Sequence, residues 1–487
     1  MLRLTFLVAA ITFAGTTART LPADDAGTAN AATVDESEAS RALSRAVEYF
    51  RTHAGVQGGY VYRVSADLAK REGEGRVKPT TAWIEPPGTP AVGLAYLRAY
   101  QLTQRAFLLD AAVETGTALV RGQLHSGGWD NRIEFDPEDR RRYAYRTDVD
   151  APEGRRNTTT FDDNKSQSAL LFLMELDREL EFRDEAIHEA AMYALDAFLK
   201  AQYPNGAWPQ RYSRFAEPDE FPVKKASFPE SWSRTYPGKD YQRYYTLNDN
   251  TVCDTIATMF HAWDVYGDER YRASAIRGGE FLLLAQLPEP QPGWAQQYDR
   301  KMHPSWARKF EPPAITGGES QAVMRMLIEL YRRTGEERFL QPIPRALEYY
   351  RSLLRSDGRL ARFYEIGTDR PLYFTNDYQL TDSDADMPTH YGFIVTSKLD
   401  RIATLYDRAR QRPAQTERRQ PDIQRPRMSA ALTRQAREVI DALNSQGAWV
   451  EDGRLRYHGD DDDTRQIISS ETFAENLVTL AEFLAAR

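Results

Sequence analysis

The chain repeats a block of two amphipathic helices followed by a loop of one kind, and this constrains its fold more than any single motif. Apolar residues recur at helical spacing in Val92, Tyr96, Ala99 and Tyr100, then in Ala169, Phe172, Leu173, Leu176 and Leu180. They do so again in Ile256, Phe260 and Trp263, and in Val323, Met326, Leu327, Leu330 and Tyr331. Each block runs into a polar turn carrying a basic residue: Thr103-Gln-Arg-Ala-Phe107, Phe182-Arg-Asp-Glu-Ala186, Gly267-Asp-Glu-Arg-Tyr271 and Gly335-Glu-Glu-Arg-Phe339. A second amphipathic helix returns and ends in a Trp loop: Gly127-Gly-Trp129, Asn205-Gly-Ala-Trp208, Gly293-Trp294 or Gln446-Gly-Ala-Trp449. Before the outgoing helices stand either Glu85-Pro-Pro87 and Glu311-Pro-Pro313, or Phe161-Asp-Asp-Asn164 and Leu247-Asn-Asp-Asn250. Trp129 to Trp208 is 79 residues and Trp208 to Trp294 is 86, a period that fits a helix pair plus long loops.

Antiparallel helix pairs set around one axis give an all-α fold, an α/α barrel or toroid, with the loops at one end lining a cleft. A linear solenoid is the alternative reading. A helix around Ala39–His53 pairing with Glu471–Arg487 is expected to close the ring. Residues 1–18 read as a signal peptide, with Arg3 ahead of an apolar run from Leu4 to Ala14 that is too short to span a bilayer. Residues 19–36 read as a flexible tail and 37–487 as a single α/α-barrel domain, with an exposed Pro- and Arg-rich excursion at about 411–428. A secreted or periplasmic monomer is expected. The formal charge of −8 argues against a general nucleic-acid binder, and no long apolar run outside the N-terminus calls for a membrane. The single Cys253 excludes an internal disulfide framework and reads as an inert core thiol.

The loops collect aromatic, amide, carboxylate and guanidinium groups. Aromatic faces take the C–H faces of sugars and planar amides take their hydroxyls, which makes Trp208, Trp294 and Gln296 candidate sugar contacts. Arginines such as Arg211 suit a sugar that carries a carboxylate. An opposing reading makes the tryptophans plugs of the barrel end. Asp162 and Asp249, each in an Asp/Asn cluster before a helix, are either N-caps or calcium ligands, while Asp460-Asp-Asp-Asp463 reads as a solvated loop. No zinc-protease His pair, phosphate loop, dinucleotide fingerprint or Gly-x-Ser-x-Gly elbow is present.

Taken together, Thr158-Thr-Thr-Phe-Asp-Asp163, Gly206-Ala-Trp-Pro-Gln-Arg-Tyr212, Tyr245-Thr-Leu-Asn-Asp-Asn250 and Gly293-Trp-Ala-Gln-Gln297 resemble the family-10 pectate lyases. So do Ala307-Arg-Lys-Phe-Glu-Pro-Pro313, Gly317-Gly-Glu-Ser320, Ala361-Arg-Phe-Tyr-Glu365 and Asp369-Arg-Pro371. The resemblance implies an α/α-barrel enzyme that cleaves polygalacturonate, an anionic polysaccharide, by β-elimination with calcium. It makes Asp162 and Asp249 the calcium ligands, Arg308 the catalytic base, and Arg362 and Arg370 the grips on uronate carboxylates. Arg308 also has a purely structural reading, an ion pair with Glu311. The chain departs from the family where Asp162-Asp163 is followed by Asn164-Lys165-Ser166, where Phe374-Thr-Asn-Asp377 follows Arg370, and where His390-Tyr-Gly392 keeps part of a motif. Two readings compete with the lyase. One is a glycoside hydrolase on a helical barrel, drawing two carboxylates from Glu85, Glu311, Asp162 and Asp249; the other is a non-catalytic polysaccharide-binding protein.

Overall fold

A computed structural model describes residues 34–487 apart from Val149, Ala151, Pro152, Lys239, Asp240 and Arg487. The expected signal peptide, and the tail up to Thr33, lie outside the described residues. Thirteen α-helices form among the described residues: α1 (Glu36–Tyr49), α2 (Thr89–Thr103), α3 (Ala106–Gly122), the short α4 (Pro137–Arg140), α5 (Lys165–Glu179), α6 (Glu185–Ala201) and α7 (Thr251–Tyr266). They continue with α8 (Glu269–Leu284), α9 (Glu319–Thr334), α10 (Ile343–Ser352), α11 (Leu399–Gln411), α12 (Ala430–Asp441) and α13 (Ser470–Ala485). No described helix is long and apolar enough to cross a membrane.

The helices make an α/α toroid. Its inner members follow one another in the order α13, α2, α5, α7, α9, α11, each packed on the next. Outside them, α3 backs α2, α6 backs α5, α8 backs α7 and α10 backs α11, while α1 and α12 both pack on α13. The expected pairing of the first and last helices is therefore present. Inner helices such as α5 and α7 are buried on nearly every face, whereas α11 and α12 bury only a stripe, as their sequences dictate. Inner helix passes to outer helix through a tight turn. Gly267 and Gly335 end α7 and α9 at φ 75°, a left-handed conformation that glycine adopts without strain, and Asp268 then caps α8 by accepting the Arg270 N–H.

At the other end of each hairpin a short antiparallel ribbon joins the strand that enters the inner helix to the strand that leaves the outer one. The pairs are 81–83 with 132–134, 159–160 with 211–212, 245–246 with 297–298 and 315–316 with 363–364. The last belongs to a four-stranded sheet with 371–374 and 380–381, and a five-stranded sheet gathers 451–452, 466–469, 63–65, 71–73 and 75–76. These strands are two to four residues long, too short for an alternating pattern to show in the sequence.

The Trp loops lock these ends. The indole N–H of Trp129 donates to the Leu119 carbonyl at 2.8 Å, Trp208 to Phe198 at 2.9 Å, Trp294 to Leu282 at 2.8 Å and Trp449 to Val439 at 2.8 Å. In each case the acceptor lies near the C-terminal end of the outer helix just completed. Trp208 and Trp294 are 0% exposed. Their assignment as sugar contacts is thus corrected: a ring buried under its own hairpin has no face left for a ligand.

Residues 412–428 contain neither helix nor strand and lie on the surface across the C-terminal ends of α7 and α9. Arg418 donates to the carbonyls of Asp264 and Val265 at 2.8 and 2.9 Å, the Arg419 N–H reaches Asp264 at 2.8 Å, and the Gln415 N–H reaches the Arg332 carbonyl at 2.7 Å. Beneath this strap Arg333 grips Asp264 through two bonds of 2.8 and 2.6 Å, both side chains buried.

If the indoles are structural, Trp294→Ala lowers unfolding stability by about 3–5 kcal/mol, the usual cost of truncating a buried large aromatic. Trp294→Phe loses the bond to Leu282 and costs about 1–2 kcal/mol. Denaturant midpoints measure both; a Trp294→Ala midpoint equal to wild type contradicts the packing role.

Candidate active site

The cleft forms where the inner helices begin. Two successive hairpins enter their inner helices through the same turn. In the first, the Asp162 N–H bonds the Thr160 hydroxyl at 3.2 Å; in the second, the Asn248 N–H bonds Thr246 at 3.1 Å. Two left-handed residues follow in each, Asp163 and Asn164 at φ 47° and 57°, then Asp249 and Asn250 at φ 48° and 58°. Asp and Asn are the non-glycine residues that take this conformation most readily, which explains the composition of both clusters. Asp163 is therefore the counterpart of Asp249, and Asp162 that of Asn248. The two turns touch, and one oxygen from each of Asp162, Asp163 and Asp249 falls within 4.8 Å of the others.

Each turn is held from behind by the glutamine two residues after a buried tryptophan. Gln210 donates to Asp162 at 2.7 Å. Gln296 donates to Asn248 at 2.6 Å and to Glu311 at 2.7 Å. Gln296 is buried in that position, so its assignment as a sugar contact is also corrected: its amide orients the turn and Glu311. Arg211 pairs with Asp162 at 2.9 Å while remaining partly exposed, which leaves it at the rim of the cleft as a bound neighbour of the cluster.

Arg308 forks onto Glu311 through Nε at 2.8 Å and Nη2 at 2.5 Å. Glu311 is 2% exposed at its side chain and Arg308 39%, so the carboxylate is the anchor and the guanidinium the accessible partner. Burial works against the charge of Arg308, yet the Glu311 hydrogen bonds and charge outweigh it and hold the guanidinium above the ordinary arginine range. Tyr391 donates to Glu311 at 3.0 Å, and its ring lies under both Arg308 and Arg362, at 5.4 and 4.8 Å from their guanidinium carbons. Arg362 donates to Glu319 at 2.6 Å and to the Gly392 carbonyl at 2.7 Å. Arg370 stands apart: it pairs with Glu365 at 3.0 and 2.8 Å, a carboxylate it shares with Arg234, and no bond links it to the cluster among the described residues. The structure thus brings together Asp162, Asp249, Arg211, Gln296, Arg308 and Arg362.

It adds groups that the sequence alone does not single out. Asp163 completes the carboxylate group, and aligning the two Asx-Asp-Asn turns residue by residue would have found it. Lys165 stands out in the sequence only as a departure from the family, and Glu74, Glu319 and Tyr391 are not singled out, because only the fold brings them to the site. Glu85, opposite Lys165, is pushed up to about 7 by burial, with Asp163 and Glu74 adding to the shift and Lys165 opposing it. Asp249 is raised well above the ordinary carboxylate range, by burial first and then by the charges of Asp163 and Asp162, against the pull of Arg308.

That crowding of acids favours a cation. Three carboxylates converge from two turns, and hard oxygen ligands of this kind could hold a metal ion. Asp162, Asp163 and Asp249 are the residues that would hold it.

The fold and site together define an α/α toroid with a group of carboxylates and arginines where its inner helices begin. Residues 123–357 match the family model described as Pectic acid lyase. That stretch, just under half of the chain, is a pectic acid lyase domain. No curated protein matches the chain by sequence. Among solved structures, the chain is similar to a family 10 polysaccharide lyase from Cellvibrio cellulosa, at 18% identity over 61% of this chain and 90% of that one, with a TM-score of 0.44. A mutant of such a lyase from the same organism, described as in complex with trigalaturonic acid, matches at 16% identity over 66% of this chain and 98% of that one, TM-score 0.44. An alpha-mannanase from Bacteroides thetaiotaomicron matches at 10% identity over 93% and 96%, TM-score 0.40.

A carboxylate whose folded-state pKa is raised binds its proton more tightly folded than unfolded. Its effect on stability is then a loss as pH climbs from about 4 through the raised value. With a chelator present, thermal stability of the wild type should fall over that range. Asp249→Asn, which removes the repelled charge, should flatten that fall and gain about 1 kcal/mol near neutrality. A melting-temperature series against pH for both proteins checks this, and parallel curves count against it.

Proposed function

We propose that this protein cleaves a polygalacturonate-type uronic acid polymer by calcium-assisted β-elimination, and that it does so as a secreted or periplasmic monomer. The observation that carries the reading is the Asp162–Asp163–Asp249 group standing in one cleft with Arg308 and Arg362. The short apolar run behind Arg3 supports export. In the reaction the proton at C5 leaves to a base, its electron pair forms the C4–C5 double bond, and the C4–O bond breaks, the departing chain taking up a proton. Bound calcium supplies the positive charge that neutralises the uronate carboxylate and makes the C5 proton acidic.

This chain's own residues do the remainder. Arg362, fixed by Glu319 and stacked on Tyr391, offers a guanidinium edge to a uronate carboxylate. Arg211 can exchange its contact with Asp162 for one with substrate. Arg370, paired with Glu365 and half-exposed, is proposed to grip a sugar farther along the polymer. Arg308 is proposed to take the C5 proton. The Glu311 fork opposes that role in the free protein, so binding must open it.

Two measurements test this. Ultraviolet absorbance of polygalacturonate digests should report an unsaturated uronide that a chelator abolishes and calcium restores. A reducing sugar without the double bond indicates hydrolysis, and intact polymer indicates binding alone. Arg308→Lys should lose about a hundredfold or more in kcat with KM within a few-fold, since a positioned base contributes about 10²–10⁴. Glu311→Gln lowers the pKa of the guanidinium, and so should move the rise of kcat/KM to lower pH. A kcat for Arg308→Lys near that of wild type places the base elsewhere.

A further inference from the structure

Lys165 is the first residue of α5, and its side chain is 1% exposed. A lysine there is doubly disfavoured. The helix N-terminus already carries a partial positive charge, and a buried ammonium loses several kcal/mol of hydration unless anions surround it. Here they do. Nζ lies 2.8 Å from Glu85, 3.2 Å from Asp163, 3.9 Å from Glu74 and 4.0 Å from Asp162. These oxygens come from three separate places: the turn at Glu74 between strands 71–73 and 75–76, the Glu85-Pro-Pro87 turn before α2, and the turn before α5.

Two carboxylate groups of metal-binding size share Asp163. One is Asp162, Asp163 and Asp249; the other is Glu74, Glu85 and Asp163. The ammonium stands within the second. It pairs with all three carboxylates of that group, closest to Glu85 at 2.8 Å, whereas in the other group it reaches the shared Asp163 at 3.2 Å and Asp162 only at 4.0 Å, and no lysine pairs with Asp249 among the described residues.

We infer that Lys165 is a built-in cation that closes the Glu74–Glu85 side of the cluster to divalent ions and confines calcium to the Asp162–Asp163–Asp249 side, one ion per chain. The inference rests on the calcium reading above. An ammonium suits this role because it brings one compact charge and three donors but no vacant coordination position. It makes Lys165 a positioning residue for the metal and a determinant of how many ions the cleft holds.

Equilibrium dialysis with radioactive calcium, paired with melting temperatures in calcium and in chelator, tests it without recourse to activity. Wild type should bind one ion. Lys165→Met should bind two, and its melting temperature should rise more on adding calcium than that of wild type, because the ion replaces a missing charge. Lys165→Gln keeps a donor for buried Glu85, serves if Lys165→Met does not fold, and should also bind two. Adding Glu85→Gln to either variant should return the count to one. A folded lysine variant that still binds one ion, with the calcium response of wild type, overturns the inference. No binding by wild type but one ion in the variant upholds the lysine's exclusion of metal while sinking the calcium reading; no binding by any of them sinks both.

Discussion

The indole hydrogen bond that recurs in four of the Trp loops is the constraint on which the cleft depends. An outer helix ends with carbonyls that its own backbone leaves unpaired, and a buried carbonyl without a donor costs about 1–3 kcal/mol. Trp129, Trp208, Trp294 and Trp449 each donate to a carbonyl near that end and fill the space beneath with a buried ring. Because the indole is fixed, the residues after it have a fixed direction. Gln210 and Gln296, each two residues on, then meet the turn that opens the inner helix of their own hairpin, at Asp162 and Asn248. The positions of the carboxylates thus follow from the packing of the hairpins behind them.

Charge divides the molecule into two unlike ends. Where the inner helices finish, Asp264 receives two bonds from Arg333 and one from the Arg419 backbone, under a strap pinned by Arg418. There the buried Asp264 is matched by Arg333. Where the inner helices begin, Glu74, Glu85, Asp162, Asp163 and Asp249 crowd together and only Lys165 and Arg211 answer them directly among the described residues. Three inner helices point their positive ends at that mouth, which tempers the repulsion without removing it. The acids at that mouth, short of cations, could hold a metal ion.

Much of the architecture was legible in the sequence because helical periodicity is local. The paired helices, their tight turns at Gly267 and Gly335, and the meeting of the first and last helices all follow from spacing and from residues that cap. The pair Arg308–Glu311 was legible too, being three residues apart. The sequence leaves Trp208 and Trp294 between sugar contact and plug, because an indole in a polar loop looks the same whether it faces sugar or the underside of a helix; burial decides for the plug. Lys165 was visible as a departure, but its partners at 74 and 85 lie about 80–91 residues away along the chain, and no local pattern joins them.

The same geometry explains why arginines rather than lysines line the open side. Arg308 and Arg362 each keep one bond set to a carboxylate and a face on Tyr391, and a planar guanidinium can do both at once. A lysine in either place would satisfy its acid and present nothing planar to a second carboxylate. Lys165 meets the opposite demand inside the cluster. It must spread one charge over several oxygens coming from different directions, which a tetrahedral ammonium does better than a flat fork. The choice of cation at each position therefore tracks whether its carboxylate partner lies on one side, as for Arg308 and Arg362, or several surround it, as for Lys165.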